Sequence, residues 1–390
     1  MKLGIECLLA GGAARLRGAR VGAVVHPASI LPDLGHTADA LRACPDLRLV
    51  SLFGPQHGAR GEKQDNMVES DFYRDPDTGL PVHSLYGETR RPTPEMLQDV
   101  DVLLFDLQDV GTRVYTFIHT MSYCIESIAQ SKKKLIVLDR PNPIGGDQVE
   151  GNLLDVAYRS FVGLHPVPMR HGLTIGEMAL FINGEQNIGC DLEVIPMEGW
   201  HRRDWFDDTR LPWVTPSPNL PTLDAATVYP GAVLVEGTML SEGRGTTRPF
   251  ELVGAPYING REYAAALNGL GLPGVRFRAA SFQPTFQKWA GQVCGGVQTH
   301  VLDRRRFEPY LTGIAMIAVA RKLYPNEFAW RLPPYEYEYE KLPIEILCGG
   351  RGVPDMIESM DPIDIEKVRG SWQVDVEAFW ERRRPYLLYP

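Results

Sequence analysis

The 390-residue chain has no CxxC pair: its six cysteines, Cys7, Cys44, Cys124, Cys190, Cys294 and Cys348, stand far apart. That spacing argues against a disulfide framework or a cysteine zinc site and fits a reducing compartment. There is no basic block. The net charge is −9 and spread along the chain, so nucleic acid is not an expected partner, because phosphate binding needs clustered Lys and Arg. No run is long and apolar enough to span a bilayer, so membrane insertion is not expected. Met1 to Glu6 reaches a carboxylate before any apolar leader core, and "LLAGGAARLRGAR" (8–20) supplies none. The expected compartment is therefore the cytoplasm; a chain whose leader had been removed would be secreted or periplasmic. Several chemical signatures are missing too. GxxxxGK[ST] does not occur, and the glycines of "GGAARLRG" precede a strand instead of following one, so a nucleotide cofactor is not expected. GxSxG does not occur either, which argues against serine hydrolysis on an α/β-hydrolase plan. HExxH is absent and the histidines are singletons, so no metal is expected.

What is present is an alternation of short apolar runs and helical segments. Arg20–Val25, Leu47–Phe53, Val82–Tyr86, "VDVLLFDLQDV" and "KKLIVLDRPNP" read as strands. Thr37–Ala43, the segment opened by Thr93-Pro94 and Tyr115–Gln130 read as helices, Thr93 being an N-cap with proline at the first helical position. Thr174 and Glu177 have the spacing of a capping box. Strands without internal alternation are covered on both faces, and the β-α-β rhythm predicts an α/β fold: a Rossmann-like, doubly wound parallel sheet. After the proline-rich "LPWVTPSPNLPT" (211–222) the character changes. Helices near Arg261–Leu267 and over Pro309–Leu323, with a strand near Val275–Ala279, predict a smaller α+β C-terminal domain. At 390 residues two domains are expected, 1–227 and 228–390.

In such sheets ligands bind at the carboxyl ends of the strands, and the polar clusters fall there. "FGPQHGARGEKQDN" (53–66) ends a strand with three glycines among Gln56, His57, Arg60, Glu62 and Lys63. Asp106, Asp109 and Arg113 follow the next buried run. Asp139-Arg140-Pro141-Asn142 and Glu150 follow another, and Arg170-His171 precedes a helix start. Ser241-Glu242-Gly243-Arg244 and the residues to Arg248 form a candidate rim from the second domain. Each cluster has an ordinary structural reading: a surface turn, a helix cap, or a self-neutralising ion pair. Trp200, Trp205 and Trp213 suit stacking on sugars and suit packing equally well. Carboxylates paired across a crevice split glycosidic bonds, and arginine forks bind a substrate carboxylate bidentately. The residues alone thus reach a hydrolase for an acidic carbohydrate.

The runs "SLFGPQHGARGEKQ", "TGLPVHSLYGETRRPTPEML", "DVLLFDLQDVGTRVYTFIHTM", "VLDRPNPIGGDQVEGNLLD", "SFVGLHPVPMRHGLTIGEMA", "LPWVTPSPNLPT", "VYPGAVLVEGTMLSEGRGTTRPFELVGAP" and "CGGVQTHVLD" resemble the peptidoglycan exo-β-N-acetylmuramidases, glycoside hydrolase family 171. The resemblance extends from about Arg20 to the C-terminal region. It implies an active site in the cleft between the two domains, release of non-reducing terminal N-acetylmuramic acid from peptidoglycan fragments, and neither metal nor nucleotide. The partners it implies are peptidoglycan-derived amino sugars; it sets no oligomeric state. Where family members commonly read Pro-Glu-His-Gly, this chain reads Pro55-Gln56-His57-Gly58. An amide has no proton to donate, so Glu62, in the same loop, is the expected general acid. Asp106 or Asp109 would be the partner carboxylate or would hold His57. Arg60, Arg113, Arg140 and Arg170 are candidates for the lactyl carboxylate, Asn142, Asn219 and His171 for the N-acetyl and hydroxyl groups, and Glu242 and Arg244 for closing the cleft beside Gln56. A non-catalytic amino-sugar or muropeptide-binding protein and a hydrolase of another acidic carbohydrate remain the alternatives.

Overall fold

The computed structural model describes residues 1–59, 61 and 72–390. Its first unit is built on a seven-stranded sheet: β1 Arg20–Val24, β2 Arg48–Gly54, β3 Tyr73–Arg74, β4 Pro81–Ser84, β5 Val102–Phe105, β6 Lys134–Leu138 and β7 Asp191–Ile195. The spatial order is β3-β4-β2-β1-β5-β6-β7. All neighbours are parallel except the edge pair of β3 with β4. The chain winds outward in both directions from the contact of β1 with β5, which makes that contact the switch point.

The apolar runs explain the two covered faces. Val21, Ala23 and Val25 join Leu104, Ile136 and Leu138 in one buried layer, which the N-terminal segment covers with Leu3, Ile5 and Leu8. Val24, Phe53, Leu103 and Phe105 point the other way, into the layer holding the helix Phe117–Ser131. The predicted caps form: the Thr93 hydroxyl accepts from Met96 N–H, and Thr174 with Glu177 makes a capping box.

The second unit holds an antiparallel three-stranded sheet, β8 Leu252–Ala255, β10 Cys294–Val301 and β9 Val275–Phe282, in that order. Residue 227 falls within the helix Leu223–Ala232, which packs on the helix Pro309–Leu323. Their crossing depends on two glycines in contact. A Cβ on Gly231 would lie 1.7 Å from Pro309 O, and one on Gly313 would lie 2.2 Å from Gly231 O. Gly231→Ala is therefore expected to cost about 1–3 kcal/mol through overpacking. Urea unfolding with the slope unchanged would measure it; a stability equal to the parent would mean that the helices can separate freely.

Candidate active site

A hollow lies beyond the carboxyl edge of the sheet, between the loop after β2 and the second unit. Gln56, His57, Tyr115 and Thr116 form its wall on one side; Glu236, Arg244, Tyr335 and Glu336 form the other.

The first wall owes its shape to the loop that sequence reading singled out. At Gly54 a Cβ would sit 2.6 Å from Ala59 N, so the chain folds back at a position only glycine fits. His57 adopts φ 72° and Gly58 φ 81°. The left-handed region is costly for a residue with a Cβ, and here it brings the His57 ring inward, with Nε2 3.1 Å from Ser217 Oγ. Gln56 is buried and aligned by two bonds. Its Oε1 accepts from Thr116 Oγ1 at 2.7 Å and its Nε2 donates to Tyr86 Oη at 3.2 Å. Tyr86 Oη donates onward to Glu336 Oε2 at 3.1 Å.

The second wall is a charge network. Arg244 Nη2 donates to Glu236 Oε1 at 2.7 Å, and its Nε lies 3.4 Å from Glu242 Oε1. Tyr335 Oη donates to Glu236 Oε2 at 2.7 Å, while Lys288 Nζ sits 2.7 Å from Glu242 Oε2. Burial alone pushes the Glu236 carboxyl up. The Arg244 charge and hydrogen bond, the Tyr335 hydroxyl and Lys288 together outweigh it and hold the group below its ordinary value. Glu236 is thus fixed as an anion. Arg244 is 8% exposed, yet its Nη1 has no hydrogen-bond partner among the described residues. A buried guanidinium N–H left unpaired beside a hollow is a ready donor for an anion.

Glu336 is delivered by an unusual turn. Glu336 and Tyr337 have φ of 44° and 67°, and Tyr335 and Glu338 exchange two main-chain bonds of 2.9 Å around them. Two-residue turns of this hand normally take Asn-Gly or Gly-Gly. Two non-glycine residues here imply strain of about 1–3 kcal/mol each. The Arg90 guanidinium lies 3.8 Å from the centre of the Tyr337 ring and helps to pin the turn.

The other predicted residues lie in several places. Glu62 and Arg60 fall outside the described residues. Asp106 and Arg140 meet each other, with Nε–Oδ1 2.5 Å and Nη2–Oδ2 2.8 Å, and Thr37 Oγ1 donates to Asp106 Oδ2 at 2.5 Å. This buried pair ties the strand ends to the loop after β1, since Arg140 Nη2 also donates to Ile30 O at 3.0 Å. Neither side chain lines the hollow. Asp109 Oδ2 accepts from Gly111 N at 2.8 Å and lies 3.5 Å from His171 Nε2. Asn142 is used locally: its Nδ2 donates to Leu173 O, and its Oδ1 accepts from Ile144 N. Arg170 donates to Ile144 O, and burial pushes it down to about 10 despite nearby Glu150. Arg113 is fully buried. Its Nη1 donates to Asn152 O at 2.7 Å and Val167 O at 2.9 Å, and its Nη2 to Leu347 O at 3.1 Å and Cys348 O at 2.9 Å. Asn219 lines a second, wider hollow with Pro218, Thr246 and Phe286, continuous in sequence with the first at Leu220 and Arg244.

Trp200 and Trp205 are buried, and Trp213 is half-buried. Trp200 sits edge-on to Tyr389 and Trp213 edge-on to Phe206. Sequence reading missed Tyr86, Glu236, Tyr335 and Glu336. The signal for the last two was the Tyr-Glu alternation "YEYEYE" after a proline pair, which places acids beside aromatic rings.

Fold and hollow together define a two-unit α/β protein with a carboxylate- and arginine-walled crevice at its sheet edge. Residues 21–224 match the family described as exo-beta-N-acetylmuramidase NamZ, N-terminal, and residues 227–389 match its C-terminal counterpart. The chain is 46% identical over 389 residues to the peptidoglycan beta-N-acetylmuramidase NamZ of Bacillus subtilis (strain 168), covering 100% of this chain and 91% of that protein. The crystal structure of a DUF1343 family protein from Bacteroides fragilis NCTC 9343 matches with TM-score 0.89 and 36% identity, over 100% of this chain and 99% of that one. A second DUF1343 protein from the same organism matches with TM-score 0.77 and 30% identity, over 100% and 98%. The chain belongs to the exo-β-N-acetylmuramidase NamZ family.

Proposed function

We infer that this protein is an exo-acting β-N-acetylmuramidase that hydrolyses non-reducing terminal N-acetylmuramic acid from peptidoglycan fragments. The 46% identity along the full chain to a peptidoglycan β-N-acetylmuramidase carries the reading. The crevice supports it chemically. Muramic acid differs from glucosamine by a lactyl carboxylate, and Arg244 offers an unpaired, buried N–H to such a group. Glu236, held anionic by Arg244 and Tyr335, is placed to stabilise positive charge building on the sugar ring as the glycosidic bond breaks. His57, tied to Ser217, and Gln56 offer polar contacts on the opposite side.

Chromogenic glycosides test the reading. The β-N-acetylmuraminide is expected to be cleaved at least ~10-fold faster than the β-N-acetylglucosaminide, since a site built around an anion rejects the analogue lacking it. Equal rates would count against a lactyl clamp. Tight binding of N-acetylmuramic acid without turnover of any glycoside would point instead to a sugar-binding relative, a reading that Gln56 favours.

A further inference from the structure

We propose that a hollow beside the loop after β6 is a second binding site, separate from the sugar crevice, and that it takes a small phosphate monoester. This site does not depend on the hydrolase reading above.

Three observations carry it. First, the hollow is built from cationic side chains. It has a volume of about 210 Å³, and Arg170, Arg202, Arg203 and Arg305 line it together with Asp147 and Trp205. It shares no lining residue with the crevice that holds Gln56 and Arg244. Second, Arg170 is a buried charge without a bonded counter-ion. It is 2% exposed and donates to Ile144 O, while its Nε has no hydrogen-bond partner among the described residues. Glu150 and Asp147 act on it only through space, and burial outweighs them both, pulling the group down to about 10. It stays charged at pH 7, and a buried charge is normally paired. Third, like charges crowd behind it. Arg202 pairs with Glu177 at 2.6 Å, yet it also shares two carbonyls with the buried Arg383: both guanidiniums donate to Gly146 O and to Gly172 O. Arg383 bonds His171 O as well, at 3.1 Å. Guanidiniums held this close repel each other, and an anion in the adjoining hollow relieves that repulsion.

The charge count selects the ligand class. Four arginines line the hollow against one carboxylate, and Glu177 answers Arg202, so about two positive charges are left over. A phosphate monoester carries about −1.5 to −2 at pH 7 and presents three acceptor oxygens. A carboxylate carries a single charge and two oxygens. Guanidinium forks match phosphate oxygens in pairs. Arg203 and Arg305 are exposed and can close on the ligand from solvent. Trp205, whose ring centre lies 5.4 Å from Arg170 Cζ, gives the wall an apolar patch for the carbon part of the ester. The volume is below the roughly 300–1,000 Å³ of pockets that take drug-sized molecules, so that carbon part is of monosaccharide size.

Calorimetric titration of the whole protein tests the site with four probes: glucose 6-phosphate, inorganic phosphate, glucose and acetate. Glucose 6-phosphate is expected to bind saturably at one site per chain and more tightly than inorganic phosphate, with acetate at least ~10-fold weaker than inorganic phosphate and glucose giving no saturable heat. Arg203→Ala combined with Arg305→Ala should raise the Kd for glucose 6-phosphate at least ~10-fold, as expected for lost hydrogen bonds from charged donors. Arg170→Met should do the same; if that buried change unfolds the chain, the surface double variant still decides. Several results would overturn the proposal: no saturable binding of either phosphate, acetate binding as well as phosphate, an unchanged Kd in the double variant, or displacement of glucose 6-phosphate by N-acetylmuramic acid, which would place it in the sugar crevice. Inorganic phosphate binding as tightly as the ester would overturn the ester and leave a site for the free ion.

Discussion

Arg244→Met is expected to lower kcat/KM on a β-N-acetylmuraminide about 10²-fold, the upper end for one charged hydrogen bond. The loss on the matching N-acetylglucosaminide should be smaller, so the preference between the two sugars narrows. The reasoning is geometric. Nη2 and Nε are already engaged by Glu236 and Glu242, and Nη1 is the donor left over. Methionine keeps the bulk of the stem but removes the fork. It also leaves two glutamates with less compensation, so part of the loss should appear as lower stability, because breaking a buried ion pair strands the remaining charge. Arg244→Lys separates the two effects: a point charge can neutralise the glutamates but cannot also reach a third anion with planar geometry. Parallel losses on both sugars in both variants would show that Arg244 only holds the wall together.

Asp106→Ala is expected to destabilise the protein by about 3–5 kcal/mol, the range for removing one partner of a buried pair. Asp106 and Arg140 are 1% and 3% exposed, and the carboxylate also takes a bond from Thr37. Its loss leaves the guanidinium with Ile30 O and Thr37 Oγ1 as its remaining partners. The double replacement Asp106→Leu with Arg140→Met should cost much less than the sum of the single changes, since apolar groups of similar volume often replace such pairs at little cost. Denaturant midpoints of the four proteins would settle it. Additive costs would mean that the two residues act separately.

This pair also shows what the sequence could and could not say. The sheet was legible because buried parallel strands write their burial as unbroken apolar runs, as in Val102–Phe105 and Lys134–Leu138. The loop carrying Gln56 and His57 was legible because glycines interrupt it where the chain must turn back. Role was not legible. Asp106, Arg113 and Arg140 sit at strand ends, where ligand-binding groups and the groups that satisfy loop carbonyls look the same in a string of letters. Their structural partners, such as Ile30 and Cys348, lie far off in sequence. Glu336 was hidden for a related reason: 280 positions separate it from Gln56, and its left-handed turn lacks the glycine that usually marks one.

Arg113 has a mechanical consequence. Its planar head grips two carbonyls of the first unit, at Asn152 and Val167, and two of the second, at Leu347 and Cys348. Pulling the units apart would break the two bonds to Leu347 and Cys348, each a hydrogen bond to a charged donor worth about 1.5–3 kcal/mol. A joint riveted in this way resists gaping. The expected consequence for a sugar chain is a slot of near-constant width rather than a pair of jaws.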